Sequence, residues 1–323
     1  MADLFVRPYD QQRKSPMRLI TTALVVIVIT ILVVAVLIGL ERKPSPDSEL
    51  VPADQAGDVP ALAEPMSFSG SSGTSSGSST GADGSAQQMF ARAQSLIAAG
   101  NLEQARELLY QVVATATEES MRNNALRVLG RINLQLFISP TPMAEKKSYV
   151  IQPGDSLDKI ARQNKTTVEL IRKMNTIDGN VIYPGRRLLI PANPFVLLVD
   201  KSSRTVDLTM GGKLMKRYVV GLGVHGKTPV GNFVTVVHQT NPDWTQPGGG
   251  IIPFGDPRNI LGTRWMSIQD ATRPDIKGFG IHGTPLRDSI GAETSNGCVR
   301  MLNEEVEELY LLIPRGTEVI ISE

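Results

Sequence analysis

The sequence predicts a multidomain α+β protein, and three observations carry that reading. Leu19 to Leu40 is an unbroken run of apolar residues and Thr with one Gly. Residues 41–87 are dominated by Pro, Gly, Ser, Ala and scattered acids. Beyond them apolar residues recur at helical spacing as far as Phe137, and from Phe195 onward they form strand-like runs cut by Gly- or Asp-containing turns. The predicted order is a cytoplasmic tail (1–18), a transmembrane helix (19–40), a disordered linker (41–87), a short helical segment (88–138), a small module (148–192) and a β-rich domain (195–322). Lys and Arg total 33 against 32 Asp and Glu, a balance that argues against a nucleic-acid partner.

As a helix the first run would be roughly 33 Å long, enough to cross a bilayer core of about 30 Å. Arg7, Arg13, Lys14 and Arg18 precede it; only Arg42 and Lys43 follow before Arg92. The positive-inside rule then keeps the N-terminus in the cytoplasm and exports the rest, giving a single-pass protein of the cytoplasmic membrane with an extracytoplasmic C-terminal part. A cleaved signal peptide fits less well. The run is too long for an h-region, and the Ala61-Leu62-Ala63 site lies too far downstream.

The linker cannot bury enough apolar surface to offset the entropy of ordering, and Ser67 to Ser85 is nearly pure Gly and Ser. As a flexible coil its ends would lie roughly 35–40 Å apart, which suits a tether. In the helical segment Leu102, Ala105, Leu108, Leu109, Val112 and Val113 make one stripe behind Asn101, a cap with Gln104 placed to reach back to it. The pattern around Ala91, Ala93, Leu96, Gly100 and Ala105 resembles a tetratricopeptide helix pair. There is room for about one and a half repeats, too few to stand alone. A small bundle packed on a neighbouring domain, or on a second copy of the chain, is favoured over a peptide-binding array.

Tyr149-Val150-Ile151-Gln152-Pro153-Gly154-Asp155-Ser156-Leu157 opens the next module. Ile160, Ala161 and Asn164 continue a first helix, and Thr166-Thr167-Val168-Glu169 reads as a capping box for a second. Pro184-Gly185-Arg186-Arg187-Leu188-Leu189-Ile190-Pro191 closes it. This sequence resembles a LysM module, which implies a βααβ fold and binding to N-acetylglucosamine-containing glycan strands.

In the last domain, runs beginning at Phe195, Thr205, Lys216 and Asn232 read as strands, and Asn303 is placed to cap a helix that Pro314 and Gly316 end. Cys298 is the only cysteine in the chain, and it lies sixteen residues after His282, one of three histidines. Gly283 and Gly297 flank the pair. A thiolate needs a base to form it and pliable backbone amides to receive an oxyanion, and this segment supplies both. His225 and His238 lie near no second ligand type at metal spacing, so they read as structural or surface residues. Neither a metal nor a cofactor is expected.

Gly280-Ile281-His282-Gly283-Thr284 followed by Ser295-Asn296-Gly297-Cys298-Val299-Arg300 resembles the L,D-transpeptidase (YkuD) catalytic domain. The likeness extends over roughly Asn193 to Ser322 and includes Thr228-Pro229-Val230-Gly231-Asn232-Phe233, Asn241-Pro242-Asp243-Trp244 and Thr263-Arg264-Trp265. Many members have His where this chain has Asn296. The resemblance implies a cysteine-dependent acyltransferase acting on peptidoglycan stem peptides, with a part in cell-wall organisation and cell shape. It implies Cys298 as nucleophile, His282 as base and Gly283 as the carbonyl that orients it. The amides of Gly297 and Cys298 become oxyanion donors, Arg300 a carboxylate partner, and Ser295, Asn296, Thr284 and Trp244 residues of the substrate cleft. Trp265 is expected in the core. The thioester would be resolved by a stem amine, giving a 3→3 cross-link, or by another amine. A hydrolase on the same scaffold and a non-catalytic wall-binding protein remain as alternatives. Self-association through the helical segment stays open.

Overall fold

The computed structural model describes residues 79–246 and 248–323. The tail, the apolar run and residues 41–78 of the linker lie outside these residues; residues 79–87, expected as disordered linker, are instead the start of the first helix, where Ala86 is fully buried in the helical bundle. Among the described residues no helix is long and apolar enough to cross a membrane.

Three helices come first: α1 (Ser79–Ala98), α2 (Leu102–Thr115) and α3 (Glu119–Ile138). Ala105, Leu109 and Val112 of α2 are fully buried against Ala93, Ala125, Leu129 and Ile132, so the stripe seen in the sequence is the inner face of this bundle. Asn101 stands at the N-cap of α2, but its side chain makes no capping hydrogen bond. The bundle packs on a neighbouring domain. Asn133 Nδ2 donates to the Met215 carbonyl (2.9 Å) and Tyr110 Oη to that of Leu214 (2.9 Å). The buried Arg106 bridges Asn133 and Glu145. A Cβ on Gly130 would lie 2.7 Å from Lys216 Cγ, so α3 approaches the segment around Lys216 at glycine distance. The Lys146 ammonium closes α3 by donating to the carbonyls of Leu136 (2.8 Å), Ser139 (2.5 Å) and Thr141 (2.7 Å).

β1 (Lys146–Val150), α4 (Leu157–Gln163), α5 (Val168–Met174) and β2 (Arg187–Pro191) form the expected βααβ unit, with β1 and β2 antiparallel. Ser156 caps α4 through the Lys159 amide (3.1 Å). The cap of α5 is Thr167, one residue later than a Thr166/Glu169 box requires; its Oγ accepts from the Leu170 amide (3.0 Å) and donates to the Leu311 carbonyl (2.6 Å).

The last domain is built on one eight-stranded mixed sheet. In chain order its strands are β3 (Phe195–Asp200), β4 (Thr205–Met210), β5 (Lys213–Val219), β7 (Gly231–Thr240), β10 (Arg264–Gln269), β11 (Gly280–Thr284), β13 (Val299–Leu302) and β14 (Glu318–Ser322). Across the sheet the order is β13-β11-β10-β7-β14-β3-β4-β5, parallel at β11/β13 and β14/β3. Two small ladders flank it: β6 (Leu222–Gly223) with β12 (Glu293–Ser295), and β8 (Trp244–Thr245) with β9 (Ile251–Ile252). The edge strand β5 is covered by α3, which hides its unpaired backbone groups. α6 (Asn303–Leu312) packs Val306, Leu309 and Leu312 against the sheet, and Pro314 follows it closely. Asn303 is its first residue and not its cap; Asn303 Oδ1 accepts instead from the Thr263 amide (3.2 Å).

One hydrophobic core joins all three parts. Leu134 and Phe137 of α3 and Leu170 and Met174 of α5 are buried in the same cluster as the sheet residues Phe195, Leu197, Tyr218 and Val319.

Candidate active site

β11 places the histidine. All five of its residues are buried, and it runs between β10 and β13. His282 stands opposite Trp265 on β10 and beside Arg300 on β13. Gly280 is required here, because a Cβ would lie 2.6 Å from the Trp265 ring and 2.7 Å from the Met266 carbonyl. Trp265 therefore leans over β11 and stacks on the imidazole at 5.8 Å between centroids. Expected in the core, this tryptophan is instead half-buried and lines the site, because the bare backbone of Gly280 lets its ring lie over β11.

His282 is 1% exposed, and its Nδ1 lies 2.6 Å from the Gly283 carbonyl oxygen. That contact assigns the proton to Nδ1 and leaves Nε2 as the basic nitrogen. Burial, reinforced by the Arg300 charge, pulls the imidazole down to about 4, while the carbonyls of Gly283 and Leu261 oppose the shift. Gly283 is itself confined: a Cβ there would meet Asn303 Oδ1 at 2.3 Å. The same oxygen would lie 2.2 Å from a Cβ on Gly262, whose φ is +62°. Asn303 is thus wedged between the two glycines that set the backbone behind the histidine.

Cys298 begins the approach to β13. Gly297 before it has φ +119°, and a Cβ would lie 2.3 Å from the Phe279 ring and 2.9 Å from the Lys227 carbonyl, so only glycine fits. Ser295 staples the turn: its Oγ donates to the Cys298 carbonyl (2.7 Å) and accepts from the Gly297 amide (3.0 Å). The Gly297 N–H is therefore already engaged, and of the two amides named for an oxyanion the Cys298 amide is the less committed. The half-buried thiol lies 3.8 Å from the Gly278 carbonyl. Burial pushes its pKa up, against the Gly280 amide and the Arg300 charge. At neutral pH the two groups are thus a thiol and a neutral imidazole.

Cys298, His282, Ser295, Asn296, Arg300, Trp244 and Trp265 share one cavity of about 480 Å³. Gly283 acts on it through the histidine. Thr284 is buried elsewhere and caps its own turn by accepting from the Leu286 amide (3.1 Å). Arg300 contacts Thr294 Oγ1 (3.1 Å), its Nε is buried without a partner, and among the described residues no carboxylate pairs with it. Asp243, from the Asn241-Pro242-Asp243-Trp244 motif, and Gln239, which no motif marks, also line the cavity. His225 is exposed, and His238 lies away from this cavity.

The family model of the L,D-transpeptidase catalytic domain matches residues 194–321, and that of the LysM domain matches residues 149–191. The L,D-transpeptidase-family protein YkuD of Bacillus licheniformis is 33% identical over 182 residues, spanning 54% of this chain and 98% of the relative. The chain belongs to the L,D-transpeptidase YkuD family. YkuD of Bacillus subtilis is 30% identical over the same shares, and YqjB of Bacillus subtilis is 36% identical over 143 residues, 44% of this chain and 78% of the relative. The chain therefore carries an acyltransferase domain of the L,D-transpeptidase type beside a LysM domain that implies peptidoglycan binding.

Proposed function

We propose that this protein is a cysteine-dependent peptidoglycan L,D-transpeptidase, held on the outer side of the cytoplasmic membrane by its N-terminal apolar segment. The observation that carries the reading is the single cavity holding the thiol, a neutral buried imidazole and an arginine that has no carboxylate partner among the described residues. A stem tetrapeptide brings a carboxylate that Arg300 can grip with two hydrogen bonds. The Cys298 proton passes to His282 as sulfur attacks the carbonyl preceding the terminal D-Ala. The tetrahedral oxyanion is met by backbone N–H groups at the Cys298 turn. Collapse breaks the C–N bond, His282 returns the proton to the leaving amine, and a thioester remains. A second amine, deprotonated by His282, attacks that thioester and releases Cys298. With a stem amine as acceptor the product is a 3→3 cross-link.

The test is incubation of the protein with defined muropeptides and mass-spectrometric identification of products. Loss of D-Ala together with a cross-linked dimer is expected. Loss of D-Ala with only tripeptide formed would make the protein a hydrolase on the same scaffold. Topology is tested separately: protease added to spheroplasts should digest residues 79–323, and a catalytic domain protected inside the cytoplasm would overturn the placement.

A further inference from the structure

The cavity that holds the thiol has two electrical poles. Among the described residues that line it, Arg300 is the one guanidinium and Asp243 the one carboxylate. Strand register sets them apart. Arg300 on β13 lies beside His282 on β11, His282 stands opposite Trp265 on β10, and Trp265 stands opposite Gln239 on β7. This row of four residues spans three strand spacings, about 14 Å. Asp243 follows shortly after Gln239, in the turn between β7 and β8. Arg300 therefore enters the cavity from one end of the row and Asp243 from the other, with the imidazole in between.

The turn that carries Asp243 is tied down on every side. The Asn241 amide donates to the Thr263 carbonyl (2.8 Å). The buried Asn259 side chain donates to the carbonyls of Pro242 (2.9 Å) and Ile252 (3.1 Å), and its Oδ1 accepts from the Leu261 amide (2.9 Å). Asp243 Oδ1 accepts from the Phe254 amide (2.9 Å). Asp243 is nevertheless exposed, and among the described residues no cation pairs with it. A carboxylate held in place at the wall of a reaction chamber favours an ammonium group. The donor stem's own carboxylate is drawn to Arg300 and repelled by Asp243. The second substrate of the reaction is an amine, which near neutral pH is a cation.

We propose that Asp243 captures the ammonium group of the acceptor and so determines that an amine, and not water, resolves the thioester. The inference rests on the transpeptidase reading of the site given above. The arriving ammonium donates a hydrogen bond to Asp243 and gives one proton to solvent. The neutral amine, still donating to the carboxylate, attacks the thioester carbonyl. The C–N bond forms and the C–S bond breaks. His282 takes a second proton from the nitrogen and delivers it to the departing sulfur, so Cys298 and His282 return to thiol and neutral imidazole. Water carries no charge, and Asp243 does not concentrate it in the cavity.

The test uses the full chain and a defined donor tetrapeptide, and measures the ratio of amide product to tripeptide for each D-Ala released. Two acceptors are compared: a cationic stem amine, and hydroxylamine, which is uncharged near neutral pH. Asp243→Asn keeps an oxygen for the Phe254 amide. It should lower capture of the stem amine about tenfold, the worth of one charge-assisted hydrogen bond, and leave capture of hydroxylamine within about twofold. Asp243→Glu should recover part of the loss. If Asp243→Asn fails to fold, the wild type decides: added salt should reduce capture of the stem amine and spare that of hydroxylamine. An unmoved ratio for the stem amine, or an equal loss with both acceptors, would overturn the proposal. No D-Ala release by the wild type would overturn the transpeptidase reading and this inference with it, whereas release with an unmoved ratio overturns the inference alone.

Discussion

His282 has lost its water and gained two carbonyl neighbours, and the half-buried Cys298 shares its cavity. Both groups therefore rest uncharged, in contrast to a thiolate–imidazolium pair. The rate of Cys298 alkylation by iodoacetamide should rise steadily from pH 7 to beyond pH 9; a plateau already reached at acid pH would refute the neutral pair. Substrate has to bring the proton transfer about, so His282→Ala should slow D-Ala release by about 10²–10⁴-fold, and Cys298→Ala should abolish it, both read in the muropeptide assay. Full release by Cys298→Ala would remove the thiol from the mechanism. The buried histidines also set acid stability. An unfolded chain takes up a proton at each near pH 6.5, whereas folded His282 and His238 do so only at about 4. Between those values the unfolded state binds more protons, so stability is fully present above pH 6.5 and falls as the pH drops towards 4. His282 alone accounts for about 3 kcal/mol, and denaturant unfolding at pH 7 and pH 4.5 should show most of that difference.

Elements differ in how much of them could be read in advance. The βααβ unit was legible because each helix carries a Ser or Thr cap and a tight apolar pattern, although the second cap sits at Thr167 and not Thr166. Strands β3, β4 and β7 were legible as apolar runs and are longer in the structure, while the run read from Lys216 begins earlier, at Lys213, and ends at Val219. The His/Cys pair was legible as chemistry. What brings the pair together was not: the parallel β11/β13 pairing, the Trp265 ring over Gly280 and the Asn303 wedge are long-range contacts without a local signal. The seat of the helical bundle was equally hidden, since nothing in the local sequence marks Arg106, Asn133 and Glu145 for burial. Arg106 and Glu145 form a buried pair, 9% and 7% exposed at their side chains. Lys213 also reaches Glu145 (3.2 Å), so it is the loss of Glu145 that leaves a buried charge, Arg106, without a carboxylate. Glu145→Ala should cost about 3–5 kcal/mol, visible in thermal unfolding as a fall of about 10 °C. A change within about 1 °C would mean that the network does not anchor the bundle.

Across the molecule, the LysM module and the catalytic domain are distinct in sequence but not separable in packing. Leu170 and Met174 lie on α5, inside the module, yet both are fully buried in the core that contains Phe195, Leu197 and Val306. Cutting out residues 148–192 would expose those partners, and every apolar side chain so exposed costs about 1.5–3 kcal/mol. It would also take away the Thr167 bond to the carbonyl end of α6. The helical bundle is tied in likewise, through Leu134 and Phe137. A cooperative core shared by three segments has no internal boundary at which unfolding can stop. Residues 79–323 should therefore unfold in one calorimetric transition, with equal calorimetric and van't Hoff enthalpies. Deleting the module should lower the transition temperature of the catalytic domain and, with it, turnover of a soluble tetrapeptide that never touches a glycan. Two separated transitions, or a deletion that leaves both the melting temperature and soluble turnover intact, would show that the module is merely tethered and that Leu170 and Met174 contribute nothing to the catalytic core.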